Sequence, residues 1–147
     1  KVVDSQFVHN NRLDMEQVLR KFQELMYTEH RDSDKEFIEQ NGRLLFICFI
    51  KPIINGVGFY YAEPETRNNS RMDLVVTYGK EEYIIELKIW HGEQYRKDGI
   101  KQLERYLKSR HTNRGYLVSF SFNKKDKQTA GMISKEETDM EIFEVVI

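Results

Sequence analysis

A chain of 147 residues, 39% hydrophobic and 32% charged, is sized for one domain with one core and is too apolar to be disordered. Its longest apolar run, Leu44 to Ile50, is far too short to span a bilayer, and no signal peptide opens the chain. With 23 basic against 24 acidic residues the net charge is −1, which excludes holding a polyanion by bulk charge; nucleic-acid contact would need a local patch or a bound cation.

Cys48 is the single cysteine and cannot form an internal disulfide, in keeping with a reducing compartment; a cytoplasmic protein without membrane association is expected. Because the first residue is Lys1, a piece of a longer protein is expected.

Residues 1–12 are polar and irregular. From Asp14 to about Glu29, Met15, Val18, Leu19, Phe22, Leu25 and Met26 recur at three- and four-residue steps, predicting an amphipathic helix with Asp14 as N-cap. Residues 30–34 read as a loop. A second helix is predicted from about Asp34 to Lys51, ending before Pro52. Its second half, LLFICFI, is apolar all round, as in a buried helix, and Gly42 implies close packing against a neighbour.

Asn55-Gly56-Val57-Gly58 marks a turn, and the chain then becomes β in character. Strands are predicted at 58–63 and 72–78, separated by a polar loop from Glu63 to Ser70. Gly79-Lys80-Glu81-Glu82 is a hairpin turn into a third strand at 83–89. A helix follows from about Tyr95 to Ser109, with Ile100, Leu103 and Leu107 on one face, then a strand at 115–120. Residues 121–139 read as a polar excursion before a final strand at 140–147. A hairpin followed by a crossover helix and another strand implies an α/β fold, a mixed sheet with helices on its faces.

The third strand carries the chemistry. Side chains alternate, so Glu86 and Lys88 share one face at the far end of an otherwise apolar strand. Asp73 lies on the preceding antiparallel strand, and position 73 is expected to pair with position 88, give or take two. Asp73, Glu86 and Lys88 can therefore converge. Two carboxylates suit a hard divalent cation such as Mg²⁺, and an ammonium beside them can orient or help deprotonate a water that attacks phosphorus. The bland alternative for Glu-x-Lys is a solvated pair on an edge strand.

The stretch RMDLVVTYGKEEYIIELKIWHGEQYRKDGIKQLERYL, residues 71–107, resembles the core of the PD-(D/E)XK nuclease superfamily. Asp73 matches its first acid and Glu86-Leu87-Lys88 its (D/E)-x-K element; Met72 stands where proline often precedes the acid. Residues 36–123 are similar to the nuclease-like domain found C-terminal to AAA-type ATPases in bacterial proteins, through KPIINGVGFYYAEPETR, ELKIWHGEQY, KQLERYL and GYLVSFSFNK.

The resemblance implies a restriction-endonuclease-like core at 34–123, with 1–33 as a helical lead-in and 124–147 as excursion and final strand. It also implies an Mg²⁺ or Mn²⁺ held by Asp73, Glu86 and the Leu87 main-chain carbonyl, with Lys88 positioning the water. Glu39 matches the glutamate of the helix before the sheet. With Ile38, Leu45 and Phe49 taken as the core stripe, Glu39 falls at the stripe's edge, where it either reaches the metal or is solvated. Gln102 and Tyr106 match a Q-x-x-x-Y element four apart on the next helix; Gln102 would orient the site, and Tyr106 would support it or merely pack.

Lys97, Lys101, Arg105 and Lys108 form a basic stripe that could track a phosphate backbone or simply be a solvated face. Arg67 and Arg71 flank the approach to Asp73 with guanidinium groups suited to phosphate. Trp90, His91 and Tyr95 either stack on bases or cover the sheet edge. The four histidines show no zinc spacing, and with no G-x-x-x-x-G-K-[ST] an ATPase partner must lie outside this chain. The expectation is a metal-dependent nuclease acting on DNA rather than RNA, with a homo-oligomer open. The rival is a catalytically inactive module of the same fold that binds nucleic acid or protein and regulates the attached ATPase.

Overall fold

The computed structural model describes residues 6–29, 34–63, 71–121 and 129–147, with the side chains of Lys35, Ile38, Glu39 and Arg71 outside the described set. The elements run β1 (Val8–His9), β2 (Arg12–Leu13), α1 (Met15–Glu29), α2 (Lys35–Ile54), β3 (Gly58–Ala62) and β4 (Arg71–Tyr78). They continue through β5 (Glu81–Ile89), α3 (Glu93–Ser109), β6 (Arg114–Phe120), β7 (Thr129–Met132) and β8 (Glu141–Val146).

Within residues 1–12, expected to be irregular, the described part closes with Leu13 into a hairpin because Asn10 and Asn11 take φ of 54° and 65°. Asparagine tolerates that left-handed region, and two such residues in succession make the turn that matches strand twist. Phe7 and Leu13 then bury, and the Leu13 N–H donates to the Tyr83 hydroxyl at 2.9 Å. Asp14 caps α1 as expected: its Oδ1 accepts from the Gln17 N–H at 3.2 Å.

Helix α2 does not stop at Pro52 but runs on to Ile54. Proline there removes one backbone donor near the helix end, while Ile53 and Ile54 both bury; roughly 2 kcal/mol per buried side chain outweighs one bond. The buried stripe of α2 is Gly42, Phe46, Ile50 and Ile53, rotated from the expected Leu45 and Phe49, which are half-buried at its margin, while the expected Ile38 has its side chain outside the described residues. Aromatic packing sets the rotation. Phe46 meets Phe22 edge-on at 5.1 Å, and a Cβ on Gly42 would come within 2.9 Å of the Phe120 ring.

One six-stranded sheet has the order β3-β4-β5-β6-β8-β7. Pairing is antiparallel from β3 through β5, parallel for β5/β6 and β6/β8, and antiparallel for β7/β8. This is a mixed α/β sheet flanked by helices, consistent with a restriction-endonuclease-like core. Helices α1 and α2 bury one face against Leu74, Ile85, Leu87 and Val118, so the helical lead-in packs into the main core. Helix α3 covers the other face over Val75, Ile84, Leu117 and Ile142. Strand β7 lies inside the stretch expected to be loop. Thr129-Ala130-Gly131-Met132 has little intrinsic β preference, and β8 supplies the pairing that makes it a strand.

Candidate active site

The β4/β5 turn sets the register. It holds only Gly79 and Lys80, two residues fewer than expected, and Gly79 takes a φ of 61° at the first turn position, where other residues would be strained. Tyr78 therefore faces Glu81, and Asp73 faces Glu86 directly, within the margin expected about position 88. Residues opposed on neighbouring antiparallel strands share a face, with Cβ atoms about 5 Å apart. Lys88 follows two residues on, flanked by position 71 of β4 and Ser119 of β6.

This face is the one under α3. A row crosses the sheet from Asp73 to Glu86, Leu117 and Glu144. Asp73 and Glu86 are 0% exposed and Lys88 is 1% exposed. The Lys88 ammonium donates to the Tyr95 carbonyl at 2.9 Å, lies 3.7 Å from Glu86 Oε2 and rests 3.9 Å above the Tyr95 ring centre. Tyr95, which sequence reasoning left between base stacking and covering the sheet edge, thus grips the lysine with both carbonyl and ring.

Gly99 is a site residue that sequence reasoning passed over. A Cβ there would strike Lys88 Nζ and come within 3.1 Å of Glu86 Oε2. Only a glycine lets α3 descend this closely. The signal in the sequence was a glycine inside an otherwise regular helix, at a cost of about 1 kcal/mol. Ser119 is a second omission: it is fully buried beside Lys88, and a serine in an apolar strand carries little signal on its own.

Gln102 follows Gly99 by nearly one turn and is half-buried. Tyr106 packs beside the second core and donates to Glu63 Oε2 at 3.2 Å, while the Glu63 N–H donates to the Asp73 carbonyl at 2.8 Å. Burial, with Glu63 adding to it, pushes the Tyr106 phenol up to about 12, so it remains a donor at neutral pH. Lys97, Lys101, Arg105 and Lys108 are all exposed along α3. Arg67 and the side chains of Glu39 and Arg71 lie outside the described residues; position 39 precedes Gly42 by three.

Two opposed carboxylates are hard oxygen donors of the kind Mg²⁺ and Mn²⁺ prefer, while the space kept by Gly99 is taken by the Lys88 ammonium beside Glu86. Among the described residues no three His, Cys, Asp or Glu side chains gather. Mg²⁺ sites commonly use one or two carboxylates and several waters, so the two acids Asp73 and Glu86 are enough in number and type for such an ion.

Residues 14–124, about three quarters of the chain, match the family described as Domain of unknown function (DUF8371). The chain belongs to the DUF8371 family. Neither a curated protein nor a solved structure matches it. The DUF8371 span opens at the N-cap of α1 and ends just beyond β6, so it includes Asp73, Glu86, Lys88, Gly99 and Ser119 and leaves out β7 and β8. No helix among the described residues is long and apolar enough to cross a membrane.

One site anchor lies partly outside the DUF8371 span. Arg96 of α3 donates from Nε to Glu144 of β8 at 2.7 Å and from its terminal nitrogens to Glu137 and Glu93. Arg96 and Glu144 are both 12% exposed, and these partners, Glu144 first, raise the Arg96 pKa. Breaking so enclosed a pair strands a carboxylate. Arg96→Met is expected to lower unfolding free energy by about 3 kcal/mol, read by urea titration, whereas Arg114→Met, at an exposed pair with Glu141, is expected to change it by less than about 1 kcal/mol.

Proposed function

We propose that this chain is a metal-dependent nuclease of the PD-(D/E)XK type that hydrolyses phosphodiester bonds, in DNA rather than RNA. The observation that carries the reading is the direct register of Asp73 with Glu86, with Lys88 next on the same face. Asp73, Glu86 and the Leu87 carbonyl would hold Mg²⁺ or Mn²⁺. That ion would supply charge neutralisation at the scissile phosphate and help water ionise.

The protein's own groups do the rest. Lys88 carries three donors, so its bond to Tyr95 is compatible with another to the attacking water or to the charge growing on phosphate. Tyr95 and Gly99 fix where the ammonium stands, and Gln102, with Glu39 from α2, would orient the acids. Arg67, Arg71 and the exposed stripe of Lys97, Lys101 and Arg105 would take the phosphate backbone, supplying the local positive patch that a net charge of −1 requires. An AAA-type ATPase attached outside this chain, self-association and a cytoplasmic setting belong to the same proposal.

A specific observation favours the second reading, an inactive module of this fold regulating the ATPase: all three charged side chains are at most 1% exposed. Incubation with plasmid, linear DNA and RNA in Mn²⁺, then with EDTA, separates the two. The nuclease reading expects DNA nicking that EDTA abolishes; binding without cleavage in every metal tried sinks it.

A further inference from the structure

Ser119 is 0% exposed, and its Oγ has no hydrogen-bond partner among the described residues. It lies in the parallel register position beside Lys88, so it shares the face that carries Lys88, Glu86 and Asp73. Its backbone is pinned, since the Ile147 N–H donates to the Ser119 carbonyl at 2.8 Å. A buried hydroxyl left unsatisfied costs about 1–3 kcal/mol, and an alanine of nearly the same size would escape that cost. The strand around it, Tyr116-Leu117-Val118 and Phe120, is otherwise apolar and buried. A lone hydroxyl there is explained if a polar group enters during function.

We propose that the Ser119 hydroxyl, together with the Lys88 ammonium, holds the water that attacks phosphorus; this rests on the nuclease reading above. Buried waters take two to four polar partners. Lys88 as donor, Glu86 as acceptor and Ser119 as either meet that count on one face of two adjacent strands. The water oxygen bonds to phosphorus as the bond to the leaving oxygen breaks; the water's proton goes to solvent, and the leaving oxygen takes one from solvent and departs as an alcohol. Ser119 exchanges no proton and acts as a positioning residue.

The test compares wild type with Ser119→Ala by plasmid nicking in Mn²⁺, Mn²⁺ titration calorimetry and thermal unfolding. Losing one of the three groups that hold the water should lower kcat on the order of 10- to 100-fold. KM and the Mn²⁺ Kd should stay within about twofold, and Tm should be unchanged or higher, because the lost hydroxyl was unpaired. An unchanged kcat, or a fall in kcat matched by a fall in Tm, overturns the role of Ser119 and leaves the nuclease reading standing. A wild type that cleaves nothing in Mn²⁺ brings down both.

Discussion

Glu86→Gln is expected to lower Mn²⁺-dependent cleavage by about 1,000-fold or more, while the protein stays folded. The substitution keeps size and shape and removes only the charge of a carboxylate that faces Asp73 and lies 3.7 Å from Lys88. Loss of about 4 kcal/mol of metal binding and transition-state charge stabilisation corresponds to that factor. Glu86→Gln leaves the Lys88 ammonium, 1% exposed, without the carboxylate 3.7 Å away, so unfolding free energy should fall by about 3 kcal/mol. Mn²⁺ titration should show weakened binding in parallel. A purely structural ion pair predicts the same loss of stability with no change in metal affinity, and that outcome would reject the site. Lys88→Ala is the harsher companion. It leaves Glu86 buried without its ammonium, and a stability loss of about 3–5 kcal/mol is expected alongside the lost activity.

Gly99→Ala should be nearly as damaging to activity although no chemical group is removed. The new methyl claims the space of Lys88 Nζ and crowds Glu86 Oε2, and the lysine, 1% exposed, must leave Tyr95 to yield. Alanine gains about 1 kcal/mol in an α-helix, which offsets part of the displacement, so a stability change within about 2 kcal/mol is expected. Cleavage should fall about 100-fold, since a shift of about 1 Å at a reacting group has that effect. Gly131→Ala serves as control: it has open space around it and should change neither quantity. Full activity in Gly99→Ala would show that the lysine's place under α3 does not matter to the reaction.

The sheet and its helices were legible because the β-branched and aromatic runs MDLVVTY and YIIELKI and the three-and-four spacing of α1 are strong local signals. So was the face shared by Glu86 and Lys88, which follows from strand geometry alone. The tightness of the turn was not, and it decided that Asp73 meets Glu86 rather than Lys88. The stripe of α2 was misread because its second half is apolar on all sides, so periodicity could not choose a rotation; contacts with Phe22 and Phe120 chose it. The hairpin at 6–13 depended on two asparagines in the left-handed region, and β7 on a partner strand supplied from later in the chain. Gly99 and Ser119 matter only through what lies opposite them, which no linear pattern records.

Strand β8 comes after β7 in the chain yet pairs with both β6 and β7. A chain shortened before residue 141 would leave two flanking edges open at once and release Arg96 from a carboxylate 48 positions downstream. The roof over the acids would lose its far tether although every acid remained. Truncations that stop at the end of the family-matched stretch should therefore aggregate or go slack, and their inactivity would say nothing about the chemistry.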